Sequence, residues 1–182
     1  MELIDALGQA FDHANSVVGN VSKDQLDAPT PCAQWDLRTL LAHMTGVVAN
    51  MGNGASGAEL ISIPEYELEP DFVGQFRGET ARTLGAWKAR GLDGEINIGR
   101  GSRPAPVMLT INVLDTTMHS WDVARASDQN AELPPALATN VLGLCQGFIT
   151  DDLRQSAGFE PAIATKSTNP TDQLAAFLGR RP

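Results

Sequence analysis

Asp115 and His119 stand four residues apart in Leu114-Asp115-Thr116-Thr117-Met118-His119-Ser120-Trp121-Asp122, within a run of helical apolar periodicity. Side chains at that spacing project from one side of a helix, one turn apart. A third polar side chain, His43, flanks an apolar stripe in a separate segment, three residues after Leu40 and four before Val47. A carboxylate and two imidazoles turned toward a core need mutual compensation, because burying unpaired charge costs several kcal/mol. A divalent cation supplies it. Two imidazole nitrogens and a carboxylate oxygen form a three-ligand set that leaves a fourth position for water or substrate. Zinc comes first on ligand type, followed by nickel, iron and manganese. The same spacing also suits a solvated Asp–His helix pair and a core histidine satisfied by a local hydrogen bond.

Other reactive residues take lesser roles in this reading. Asp122, one turn past His119, is placed either to orient a ligand histidine as an acceptor or to meet Arg125. His13 lies beside Phe11 and is a reserve ligand. Cys32 follows Pro29 and Pro31, and its expected role is packing with Trp35 at a helix entrance. Cys145 falls in an apolar helical run and reads as core. Gly99-Arg100-Gly101-Ser102 lacks the strand–loop–helix context of a phosphate loop.

Helices must position these groups. Leu3, Leu7, Phe11, Ala14 and Val18 predict an amphipathic helix over about residues 2–19. Pro29 and Pro31 then force an extended stretch. Asp36 is the expected N-cap of a second helix, with Trp35 and Leu40 at hydrophobic-staple spacing. Its stripe from Leu37 to Met51 ends at Gly52-Asn53-Gly54, and a loop is expected over 53–69. Further helices are expected over about 71–90, 105–127 and 135–154, with a last short one near 171–178. A short extended piece falls at Ile96-Asn97-Ile98. Long helices, long loops and little strand signal predict an antiparallel helix bundle of undetermined packing order.

Composition removes several classes of function. The chain has 182 residues, 42% of them hydrophobic and 19% charged, which suits one folded domain over 1–182. Thirteen Lys and Arg against twenty-two Asp and Glu give a net charge of −9, leaving no basic footprint for nucleic acid. No apolar run reaches membrane-span length, and the first residues lack the pattern of a signal peptide. Two cysteines make no disulfide framework, so a cytoplasmic location is expected.

Two segments carry a family resemblance. Pro29-Thr30-Pro31-Cys32-Ala33-Gln34-Trp35-Asp36-Leu37-Arg38, followed by Leu40-Leu41-Ala42-His43, resembles the opening of the mycothiol-dependent maleylpyruvate isomerase N-terminal domain family. Leu114 to Ala124 is similar to its second hallmark, an acid–histidine segment running into Trp-Asp. The ending Leu178-Gly179-Arg180-Arg181-Pro182 resembles the close of an actinobacterial single-domain branch. The resemblance implies an all-α, DinB/YfiT-like four-helix bundle with long connecting loops and a short C-terminal helix. Carried over position by position, it implies His43, Asp115 and His119 as metal ligands, Asp115 replacing the longer Glu of the isomerase.

The implied chemistry is that of a metal which activates a thiol or water. A low-molecular-weight thiol of the mycothiol or bacillithiol type would be the cosubstrate, with a transferase or isomerase reaction on a small molecule. The full isomerase carries a further C-terminal domain, so the resemblance stops short of maleylpyruvate isomerisation itself and leaves a thiol-dependent transferase, a metal-assisted hydrolase and a ligand-binding bundle open. The sequence names no catalytic base and no cofactor-binding residue beyond the ligands. Alternative readings are a non-catalytic metal- or ligand-binding bundle, or a structural homodimer joined through an outer helix face.

Overall fold

The computed structural model describes residues 1–97, 99, 101–156 and 160–182. Ile98, in the expected extended piece, and Arg100, in the glycine–arginine segment, lie outside the described residues. The chain divides into two compact units, Met1–Ala131 and Glu132–Pro182.

Four helices build the first unit: α1 (Leu3–Gly19), α2 (Leu37–Ser56), α3 (Phe72–Arg90) and α4 (Ala105–Ala126). Helix α2 packs on α3 and α4, and α1 packs on the same two. The cyclic order around the bundle is therefore α1–α3–α2–α4, which the sequence left open. Leu7, Phe11, Leu40, Leu41, Met44, Phe76, Trp87 and Leu109 are the large side chains buried at its centre. Removing each from water contributes about 1.5–3 kcal/mol, enough to set which helix faces turn inward. The expected all-helical bundle is the observed architecture. Its minor β content is an antiparallel pair, β1 (Glu95–Asn97) and β2 (Ser102–Pro104), in the connection between α3 and α4.

Asp36 caps α2 as expected, accepting the Thr39 backbone N–H at 2.8 Å. The end of α2 departs from expectation. The helix runs through Gly52-Asn53-Gly54 and stops at Gly57, which adopts a left-handed φ of 73°. Gly52 serves close packing instead of termination: a Cβ there would collide with Thr83 of α3. The Thr83 hydroxyl donates to the Val48 carbonyl at 2.9 Å, and Arg82 donates to the Asn53 side chain and the Ala49 carbonyl. These contacts from α3 carry the helix past residues that read locally as breakers.

The second unit holds α5 (Pro135–Phe148), α6 (Asp151–Ser156) and α7 (Pro170–Phe177), with α5 packed on α7. Leu137, Val141 and Leu174 are fully buried here. The single helix expected over 135–154 is two. Ile149 leaves helical geometry at φ −90° and ψ 94°, and the Thr150 hydroxyl accepts the Leu153 N–H at 3.2 Å to start α6. A threonine that satisfies a first-turn amide favours a new helix over continuation. No helix among the described residues is long and apolar enough to cross a membrane.

Candidate metal centre

His43 projects from α2, and Asp115 and His119 from α4, so the packing of α2 on α4 brings together residues more than 70 positions apart in sequence. The His43 Nε2 and the His119 Nε2 each lie 3.6 Å from the same atom, Asp115 Oδ1. The two imidazole rings meet edge to face with centroids 5.2 Å apart. Donor atoms on a tetrahedral ion with bonds of about 2.0–2.1 Å would stand roughly 3.3–3.4 Å from one another. The observed spacing needs a shift of only a few tenths of an ångström. All three residues are half-buried, with side-chain exposures of 25%, 19% and 13% for His43, Asp115 and His119, so the cluster opens partly to solvent.

The electrostatics point the same way. Burial by itself disfavours a charged His119, yet the Asp115 charge, the hydrogen bond with Asp122 and the contact with Cys32 outweigh it and hold the His119 pKa up at about 10. Two carboxylates, those of Asp115 and Asp122, flank this one ring, and a divalent cation would neutralise the acidic charge they bring. The residues present fit such an ion.

Asp122 is fully buried and its Oδ2 lies 2.9 Å from His119 Nδ1. The carboxylate thus meets the ring of His119, one turn earlier on α4. Arg125 instead lies over the Trp121 ring, 5.5 Å from its centroid. Asn112, also on the interior of α4, is fully buried, and neither amide atom has a hydrogen-bond partner among the described residues. His13 stands apart from the cluster; it is half-buried, and burial lowers its pKa. Cys145 is core, with its thiol pushed up to about 12 by burial.

Two residues at the site were not read there from sequence. Trp35, expected as half of a hydrophobic staple, lies against His43 with centroids 4.5 Å apart and the rings tilted by 40°, and lies 6.0 Å from His119. Cys32, expected to pack with Trp35, accepts the Trp35 N–H at its carbonyl at 2.8 Å. Its Sγ lies 3.4 Å from Asp122 Oδ2 and 3.9 Å from His119 Nδ1. Both arrive on the loop before α2. An antiparallel bridge between Pro29 and Asp36 closes that loop, and the Leu37 N–H donates to the Ala28 carbonyl. Inside it, the Thr30 hydroxyl donates to the Trp35 carbonyl at 2.8 Å and accepts the Cys32 N–H at 3.1 Å. The Pro-Thr-Pro-Cys run preceding a capped helix was the available signal, but only the folded loop aims it at α4.

A four-helix bundle with a histidine–carboxylate cluster held between two of its helices is the class of protein that fold and site define. The family model for the mycothiol maleylpyruvate isomerase N-terminal domain matches residues 7–124, and the chain belongs to that family. Two uncharacterized proteins from two strains of Mycobacterium tuberculosis are each 30% identical to it over 184 residues, spanning 99% of this chain and 98% of theirs. A crystal structure of the mycothiol-dependent maleylpyruvate isomerase matches with a TM-score of 0.58 at 18% identity, covering 78% of this chain and 68% of that one. A histidine-to-alanine mutant of that enzyme matches equally well at 17% identity. The sequence resemblance is thus upheld at the level of family and fold.

Proposed function

We propose that this chain is a thiol-dependent transferase or isomerase acting on a small electrophilic molecule, with His43, Asp115 and His119 as the ligands of a divalent ion, zinc foremost. The convergence of two imidazole Nε2 atoms on one carboxylate oxygen, each at 3.6 Å, carries this reading. When bound, such an ion lets a thiol or water lose its proton near neutral pH by stabilising the anion. Asp122 accepts the His119 Nδ1 proton, which would leave Nε2, on the Asp115 side of the ring, to ligate the ion once its own proton is displaced. Trp35 fixes the tilt of the His43 ring and lays apolar surface beside it. Family membership supports the thiol as cosubstrate, since the solved relative is named mycothiol-dependent. A cytoplasmic setting, where small thiols are kept reduced, belongs to the same proposal.

Elemental analysis of protein purified without a histidine tag, followed by zinc titration of the chelator-treated chain, tests the ligand set. We expect zinc uptake by the wild-type chain, and the loss of at least one equivalent in His43→Ala and in His119→Ala. The thiol reaction is read by consumption of mycothiol with monochlorobimane, with His43→Ala as the reference. Zinc uptake without thiol consumption above that reference would favour a non-catalytic binding bundle. A folded wild-type chain that takes up no zinc overturns the ligand assignment.

A further inference from the structure

His119 has two ring nitrogens, and the ligand set above uses one of them. On the opposite edge of the ring, Nδ1 meets a separate group of donors: Asp122 Oδ2 at 2.9 Å and Cys32 Sγ at 3.9 Å, with Sγ and Oδ2 3.4 Å apart. These three atoms come from two elements, the closed loop before α2 and the last turns of α4. Neither element supplies the group alone. Three donors around a tetrahedral ion with sulfur at about 2.3 Å and nitrogen or oxygen at about 2.0–2.1 Å would stand roughly 3.3–3.6 Å apart. The observed separations straddle that range. Asp122 has no exposed side-chain surface, whereas Cys32 is half-buried and gives the group its opening. Its backbone is already fixed by Thr30, so little chain ordering is needed to present the sulfur.

We propose that Cys32, His119 through Nδ1, and Asp122 form a second cation site, distinct from the His43–Asp115–His119 set and selective for thiophilic divalent ions such as zinc or cadmium. The sulfur sets the preference, because thiolate favours soft and borderline ions over magnesium or calcium. An ion entering this site displaces the Cys32 thiol proton and the His119 Nδ1 proton to solvent. Asp122 then changes from hydrogen-bond acceptor to ligand, and the His119 ring lies between two cations. The site stands on its own three donors, and it shares only the His119 ring with the proposed functional set.

Cobalt(II) titration of the chelator-treated full chain tests the proposal, because cobalt bound by a thiolate shows a sulfur-to-metal charge-transfer absorption in the near ultraviolet and cobalt bound only by nitrogen and oxygen does not. We expect that absorption in the wild type, together with uptake of a second equivalent of cobalt. Cys32→Ser should lose the absorption and one equivalent while keeping the other. His43→Ala should keep the absorption and lose the other equivalent. A wild type saturated with cobalt that shows no charge-transfer absorption overturns the site, and so does an absorption that survives in Cys32→Ser. Uptake without the absorption would leave the His43–Asp115–His119 set intact. The absorption without the second equivalent would support the sulfur site and count against that other set, so the two can fail separately.

Discussion

His119 concentrates the chemistry of this site because its ring is addressed on both edges, by Asp115 at Nε2 and by Asp122 at Nδ1. The geometry depends on the buried carboxylate. Asp122→Asn keeps the shape of the side chain but removes the anion that fixes the tautomer and orientation of the ring. Loss of such a partner typically weakens metal binding by about 10–100-fold, and that is the expected fall in zinc affinity by isothermal titration. Unchanged affinity would show that Asp122 does not act through His119. Asp115 is a shorter acid than the isomerase-type Glu suggested by resemblance, yet its Oδ1 lies within equal reach of both imidazoles.

The helices place these residues through their ends and their closest approaches. Asp36 fixes where α2 begins, and so the phase of His43 on it. Hydrogen bonds from the Thr39 hydroxyl and amide hold the Asp36 carboxyl below its ordinary value of 3.8. Its folded-state value being depressed, the cap stabilises above pH 3.8 and that stabilisation is lost as pH falls through the folded value. Asp36→Ala should cost about 0.5–2 kcal/mol in urea denaturation at pH 7, and the gap to wild type should close toward pH 3. Gly52 governs the α2–α3 contact. Gly52→Ala gains helix propensity of about 1 kcal/mol, but overpacking against Thr83 costs about 1–3 kcal/mol, and a net loss of thermal stability is expected. Gly78→Ala in exposed α3, where an added Cβ meets nothing, is the control and should raise stability by up to about 1 kcal/mol.

Over the whole molecule, every residue of both proposed cation sites lies within Met1–Ala131, and the family match ends at residue 124. A chain truncated after Ala131 is therefore expected to remain helical by circular dichroism and to bind zinc with the stoichiometry of the full chain. Loss of cooperative unfolding in that fragment would show that the first unit does not stand alone. The net charge of −9 acts at this scale too, attracting small cations and repelling nucleic acid.

The amino-acid sequence by itself determined the elements and the polar exceptions on them. Period and capping are local, so the starts of α1 to α4, the Asp36 cap and the inward set of His43, Asp115 and His119 were legible from residue types and spacing. Contacts between elements are not local. The continuation of α2 past Gly52 rests on Thr83 and Arg82 of α3, thirty residues away, and no window along the chain contains that contact. Cys32 and Trp35 read as a loop and a staple, because their partners His119 and His43 are reached only after the loop closes and α4 docks. Local periodicity sets which face of each helix is apolar, while the cyclic packing order, and with it the meeting of donors from α2, α4 and the loop, is decided by how four such faces bury one another at once.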